Sequence, residues 1–407
     1  MKIIYLHQYF HTPDVPGSIR SYEMARRMVA RGHEVDLITS DRRPPAGSRG
    51  WRETNEAGIR VHWLPVPYEN TDSVATRVQA FFKFAYGAAR RASSIKADLI
   101  FATSTPLTIA LPAVWAAKRQ KIPMVFEIRD LWPELPIAMG ALKGQPIIAG
   151  AEWLERFAYR NAAEIIALSP GMKDGVVRTG YPAERVHVVP NSCDLELFDV
   201  PASAGAAFRA KYDWLGDRPL IVYVGTLGAI NGVSYLAELA AKVREHAPDV
   251  RFAVVGGGAE EPKVRARAQE LGVLGDNFHM LGKIPKRDVP ALLSAATFAT
   301  SLFIDVKEMW HNSANKFFDG LAAGKPMLIN YGGWQAELLN DAGAGIVVSP
   351  HDLDGAARML LEALADENRL ADMGSASRWL AQDDFSRDVL AEKLIGVLEQ
   401  TYSSSRR

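Results

Sequence analysis

K-I-I-Y-L-H-Q-Y-F (residues 2–10), H-T-P-D-V-P-G-S (11–18), I-R-S-Y-E-M-A-R-R-M-V-A-R-G-H (19–33) and E-V-D-L-I-T-S (34–40) decide the fold. The first piece is an apolar, β-rich run. The second is a Pro/Gly loop. The third gathers its apolar residues on one helical face and stops at Gly32, and the fourth is a second strand. Strand, loop, helix and strand in that order open a doubly wound parallel sheet.

The same grammar continues down the chain. I-R-V-H-W-L-P-V (59–66), A-D-L-I-F-A-T-S (97–104), P-M-V-F-E-I-R-D (123–130), E-I-I-A-L-S (164–169) and V-H-V-V-P-N (186–191) read as further strands. A polar segment from Asp199 to Gly216 interrupts the series, and a second one follows. It runs P-L-I-V-Y-V-G (219–225), V-R-F-A-V-V-G-G (250–257), N-F-H-M-L-G (277–282), T-F-A-T-S-L-F (297–303), P-M-L-I-N-Y-G (326–332) and A-G-I-V-V-S (344–349). Helical sequence separates most of these strands. The pattern predicts an α/β chain with two Rossmann-like domains in tandem, 1–198 and 199–380. A closing amphipathic helix lies within 381–407, with S-S-S-R-R as a frayed tail. Ligands of such sheets gather at the carboxyl ends of the strands, so the cleft between two of them is the expected active site.

Bulk composition narrows the function. The 407 residues exceed one ordinary domain, and 48% apolar with 23% charged residues is a globular balance. Lys+Arg and Asp+Glu both number 47, which gives no electrostatic footprint for nucleic acid. The single Cys193 permits no intrachain disulfide and no multi-cysteine metal cluster, and fits a reducing compartment. A strand-like run from residue 2 makes an N-terminal signal peptide unexpected, and no apolar run is long enough for a bilayer. A soluble or peripheral protein is expected, cytoplasmic or on the inner face of a membrane.

The chemistry concentrates in S-L-F-I-D-V-K-E-M-W-H-N-S-A-N-K-F-F-D-G-L-A-A-G-K-P, Ser301 to Pro326. An apolar strand end passes through a polar loop into a helix expected to start near Ser313 and stop at Gly324. Free N–H groups and the positive dipole end of a helix start suit a phosphate, and Lys316 adds a full charge there. Asp319 can accept hydrogen bonds from a vicinal diol such as a ribose. Diphosphate and diol on one helix start suggest a nucleotide-sugar site.

Six motifs in order carry a family resemblance: R-G-H-E-V (31–35), R-D-L-W-P-E (129–134), P-N-S-C-D-L-E-L-F (190–198), Y-V-G-T-L-G (223–228), V-V-G-G-G (254–258) and N-K-F-F-D-G-L-A-A-G-K-P (315–326). With them the chain resembles the retaining glycosyltransferases of family 4. It looks most like those that add amino or deoxy sugars in bacterial O-antigen, capsule or exopolysaccharide assembly. The resemblance implies the GT-B fold, two doubly wound domains facing a cleft, with the C-terminal helix returning to the N-terminal domain. It implies transfer from a UDP-linked sugar to a polyprenyl-diphosphate-linked or saccharide acceptor, with no metal and no separate cofactor. A UDP-sugar 2-epimerase of the same fold and a non-catalytic nucleotide-sugar binder are the alternatives.

The implied catalytic residues are Lys316, Asp130 and His311. The implied donor-binding residues are Gly17, Gly225, Thr226, Gly228, Gly256, Gly257, Gly282, Lys283, Ile284, Asn315, Lys316 and Asp319, with Gly282, Lys283 and Ile284 beside a uracil. Two departures from the family pattern stand out. His311 and Asp319 occupy the places of two glutamates, and the loop G-T-L-G-A-I-N-G (225–232) lacks the family's usual Arg and Lys. Lys316 is therefore expected to carry the diphosphate's countercharge. Separately, residues 76–96 mix aromatics with Arg77, Lys83, Arg90, Arg91 and Lys96, which fits peripheral contact with an anionic membrane.

Overall fold

The computed structural model describes residues 1–15, 17–45, 47–68 and 72–406. Residue 16, within the first Pro/Gly loop, lies outside the described residues. The chain forms two compact units, Met1–Pro190 with Leu390–Arg407, and Asn191–Val389.

In the first unit eight strands pair: β1 (Lys2–Leu6), β2 (Glu34–Asp41), β3 (Arg52–Glu56), β4 (Ile59–Pro65), β5 (Leu99–Thr103), β6 (Met124–Ile128), β7 (Glu164–Ala167) and β8 (Val186–Val188). Their order is β3-β4-β2-β1-β5-β6-β7-β8, parallel except for the β3–β4 hairpin. The order reverses between β1 and β5, which is where such sheets place a ligand. Strands β5 and β6 are buried along their whole length, as expected for a sheet covered on both faces. Alternation sends Ile4, Leu6, Ile100, Ala102, Phe126 and Ile128 to one face. There they meet Phe84, Ala113 and Tyr159 from the helices Val74–Ser94, Ala110–Gln120 and Gln145–Asn161. The Gly/Pro-rich stretch before Gln145 breaks the chain into a short helix, Glu134–Ala138, and a longer one entered through Pro146.

The final helix, Arg387–Ser405, returns to this unit from Leu390 onward. Glu399 accepts from His33 Nε2 at 3.0 Å, and Leu394 and Leu398 are buried. The frayed tail expected at its end is instead helical through Ser405. The serine hydroxyls donate back to helix carbonyls there, and Arg406 covers the Tyr402 ring.

The second unit holds β9 (Leu220–Val224), β10 (Arg251–Val255), β11 (Phe278–Gly282), β12 (Phe298–Ser301), β13 (Met327–Ile329) and β14 (Gly345–Val347). All are parallel, in the order β11-β10-β9-β12-β13-β14, with the reversal between β9 and β12. Residues 191–198 and 381–389 belong here, whereas the expected boundaries lay at 198 and 381. Backbone pairing explains the shift: Cys193 N donates to Phe385 O at 2.7 Å, and Arg387 Nη1 reaches Asp194 at 2.8 Å.

Candidate active site

The site in the second unit is assembled at its sheet reversal. The helix expected near Ser313 begins at Asn315 and ends at Ala322. Ser313 is excluded because its hydroxyl is used elsewhere, accepting from Asn191 N at 3.0 Å. Asn315 is exposed at the first helical position, and Lys316 follows it. The Lys316 ammonium turns toward β9, donating from Nζ to Asn231 Oδ1 at 2.8 Å. It also stands 5.3 Å from the Tyr223 ring centroid and 5.4 Å from that of Phe303. Burial pulls its pKa down from 10.5 to about 8, against the opposing pull of Asp319. Asp319, one turn along the same helix, is pushed up to about 6 by burial, with Lys286, Arg387 and Lys316 working the other way. Lys316 and Asp319 both line a cavity of about 10 Å³, room for a single water.

One glycine loop reaches this lysine, and two more stack behind it. A Cβ at Gly225 would lie 3.1 Å from Lys316 Cε. Gly256, at φ +142°, leaves so little room that a Cβ would sit 1.8 Å from Gly225 O. A Cβ on Gly257 would meet Lys283 Cε at 2.7 Å. Backbone bonds lock the loops together: Leu227 N to Gly257 O at 3.1 Å, and Gly256 N to Gly282 O at 2.8 Å. Thr226 is exposed at the rim, and its carbonyl accepts from Tyr223 OH at 2.8 Å. Gly228 O accepts from Asn231 N at 2.9 Å, which folds the loop so that Asn231 faces Lys316. Lys283 is exposed and Ile284 half-buried after the end of β11. The structure thus joins Gly225, Gly256, Gly257, Gly282, Lys283 and Lys316 into one surface.

His311 closes a 3-10 turn, Lys307–His311, with its side chain half-buried. The turn is held from below. Trp310 packs against Gly332 and Gly333, where a Cβ would be tight at the first and would clash at the second, and Trp334 Nε1 donates to Asn312 O at 2.9 Å.

Gly17 and Asp130 belong to the first unit, near the carboxyl ends of β1 and β6. Gly17, at φ +151°, lets the loop close over His11, whose Nδ1 would lie 2.6 Å from a Cβ there. Asp130 is raised above its usual carboxylate range by burial, opposed by Arg129 and by Thr105, whose hydroxyl donates at 3.3 Å. Thr105 itself has φ +92°, a strained value for a β-branched residue.

Beneath them lies a buried polar chain that pattern reading missed. His7 Nδ1 and Ser21 Oγ are 2.8 Å apart, and Tyr5 OH donates to Ser21 at 3.0 Å and lies 3.2 Å from Thr103 Oγ1. Thr103 donates to Glu127 at 2.8 Å. Arg20, 3% exposed, pairs with that fully buried carboxylate at 2.9 Å and donates to the carbonyls of Val189 and Pro190. The available signal was a glutamate inside the apolar run 123–128.

The family profile described as "Glycosyl transferase 4-like domain" matches residues 17–192, and "Glycosyl transferases group 1" matches residues 206–379. The chain belongs to the family 4 glycosyltransferases of GT-B fold, and it is a transferase enzyme. Alpha-D-kanosaminyltransferase of Streptomyces kanamyceticus is 25% identical over 61% of this chain; the match spans 64% of that protein. The putative colanic acid biosynthesis glycosyl transferase WcaI of Escherichia coli is 27% identical over 72% of this chain and 74% of its own length. Among solved structures, Anabaena HepE in complex with UDP-glucose superposes with a TM-score of 0.73 at 18% identity, covering 98% of this chain and 100% of that one. That likeness confirms the two-domain architecture.

Proposed function

We propose that this enzyme transfers a sugar, with retention, from a UDP-linked donor to a polyprenyl-diphosphate-linked or saccharide acceptor in bacterial surface polysaccharide synthesis. The observation that carries the reading is the half-buried Lys316 ammonium, bonded to Asn231 beside the glycine loop that follows β9. Breaking the anomeric C–O bond leaves a diphosphate whose charge grows in the transition state. A cation already fixed there stabilises that charge without reorganisation. Backbone N–H groups of Thr226, Gly228 and Asn315 add dipoles of the same sign, those of Gly225 and Leu227 being spent on Val255 O and Gly257 O. The acceptor oxygen bonds the anomeric carbon on the face the diphosphate leaves, and the departing phosphate oxygen takes the acceptor's proton. Asp319 holds the ribose diol, Gly282 to Ile284 flank the base, and Asp130 orients a sugar or acceptor hydroxyl.

Positive charge from Lys316 makes the reaction metal-independent in this reading. UDP-glucose bound to HepE, together with the colanic acid biosynthesis role of the similar WcaI, supports the donor and pathway class.

The acceptor reading rests on the helix Val74–Ser94, which carries no acidic residue. Val78, Phe82 and Tyr86 recur every fourth residue on it and are exposed, with Lys83 and Arg90 beside them. Such a face suits the inner surface of an anionic membrane, and among the described residues no helix is long and apolar enough to cross one.

The test is product analysis with UDP-sugars, with and without a polyprenyl-diphosphate-linked sugar. Acceptor-dependent UDP release with an α-linked product supports the proposal. Conversion of the donor alone to its 2-epimer would establish the rival chemistry instead. Co-sedimentation with phosphatidylglycerol but not phosphatidylcholine vesicles, lost in Phe82→Ser, is expected for the membrane contact.

A further inference from the structure

We propose that Asn231 is the positioning residue of the donor site: its carboxamide aims the Lys316 ammonium with one end and donates to the donor's diphosphate with the other. The proposal rests on the reading of Lys316 as the diphosphate's counterion. The loop Gly225–Gly232 holds no cation of its own, so the countercharge must come from the helix start. A flexible four-carbon stem does not by itself fix where that charge sits. Three contacts do so here. Tyr223 and Phe303 present ring faces to Nζ, and Asn231 Oδ1 accepts a hydrogen bond from it at 2.8 Å.

Asn231 is suited to this by its chemistry. It is 7% exposed, at the end of the 3-10 turn Ala229–Asn231. Its backbone N–H is spent on Gly228 O, and its Nδ2 faces the loop, where a Cβ on Gly228 would lie 3.4 Å away. Oδ1 accepts from the ammonium, so Nδ2 keeps its donors for an anion entering along the glycine loop. A carboxylate in the same place would hold the lysine better and repel the diphosphate. An aliphatic side chain would do neither.

The groups that face Lys316 are few. Asp319 lies on its own helix, and the Tyr223 phenol comes from β9. Around Asp319 stand Lys286, Arg387 and Asp194. With no carboxylate bonded to Nζ, burial has pulled the ammonium's pKa down. The residue at position 231, bonded to Nζ, is therefore the neighbour expected to shift the pH at which donor affinity is lost on the alkaline side.

The experiment is calorimetric titration of UDP, with GDP as the second probe, into wild type, Asn231→Ala, Asn231→Asp and Lys316→Met from pH 6 to 9.5. Folding is checked by circular dichroism and melting. Asn231→Ala should weaken UDP binding about tenfold at pH 7 and move the alkaline midpoint to lower pH. Asn231→Asp should weaken it at least as much, yet move the midpoint to higher pH. These opposite displacements are a signature that a merely structural residue would not produce. Affinities within twofold of wild type, or midpoints that stay put or move together, overturn the proposal alone. A Lys316→Met enzyme that binds UDP like wild type, or a wild type that binds neither nucleotide, overturns the reading of the donor site and this proposal with it.

Discussion

Replacing Lys316 with methionine tests the donor site against the ordinary expectation that mutations destabilise. Methionine keeps a long apolar stem beside Tyr223 and Phe303 and removes the charge. A lysine that ionises at about 8 rather than 10.5 holds its proton in the fold at a cost of about 3 kcal/mol at neutral pH. The sign follows from proton counting. Below pH 8 folded and unfolded chains are both protonated, so the fold bears the whole cost. Between 8 and 10.5 only the unfolded chain keeps the proton, and the cost fades as pH rises. Lys316→Met should therefore stabilise the ligand-free protein at pH 7. Partial solvent access, the lost hydrogen bond to Asn231 and the unpaired Oδ1 reduce the gain to about 1–2 kcal/mol. The advantage should vanish near pH 10. Turnover should meanwhile fall by about 100-fold or more, the usual effect of removing a group that meets transition-state charge. Urea unfolding at pH 7 and 10, paired with initial rates of UDP release, reads both. A variant less stable than wild type at pH 7, with turnover intact, would refute the reasoning.

The other predictions are simpler to state. Donor kcat/KM should be bell-shaped, with an acid limb near pH 6 from Asp319 and an alkaline limb near pH 8 from Lys316; Asp319→Asn should abolish the acid limb in initial-rate measurements. Gly256→Ala, whose methyl would fall on Gly225 O, should cost more than about 2 kcal/mol of stability or leave a folded protein unable to bind UDP, read by melting with and without nucleotide. Glu127→Gln should destabilise by about 3–5 kcal/mol by leaving the Arg20 guanidinium buried and unpaired, whereas Arg20→Met with Glu127→Leu should recover much of that loss in denaturant titrations.

Both sheets were legible because their strands are long apolar runs punctuated by glycine and proline. The strand that escaped is β3, R-E-T-N-E, whose residues are polar and which pairs only at an edge through the turn at Ala57 and Gly58. The glycine runs of the second unit were legible as tight turns, and Gly256 sits where a Cβ would meet Gly225 O. Asn231 was not. Its partner Lys316 is 85 residues away, and an asparagine in a glycine-rich turn looks like turn chemistry. Arg20 and Glu127 were hidden by their separation too, since periodicity reports which face a side chain takes and not which charge it meets.

The discontinuous build of the first unit has a practical corollary. The segment Asn191–Val389 is an uninterrupted insertion between the two parts of the first unit. Its counterpart cannot be obtained by truncation, because cutting after Pro190 discards the last helix and strips His33 of its glutamate. A circular permutant that splices Leu390 onward ahead of Met1 would restore that half as one polypeptide.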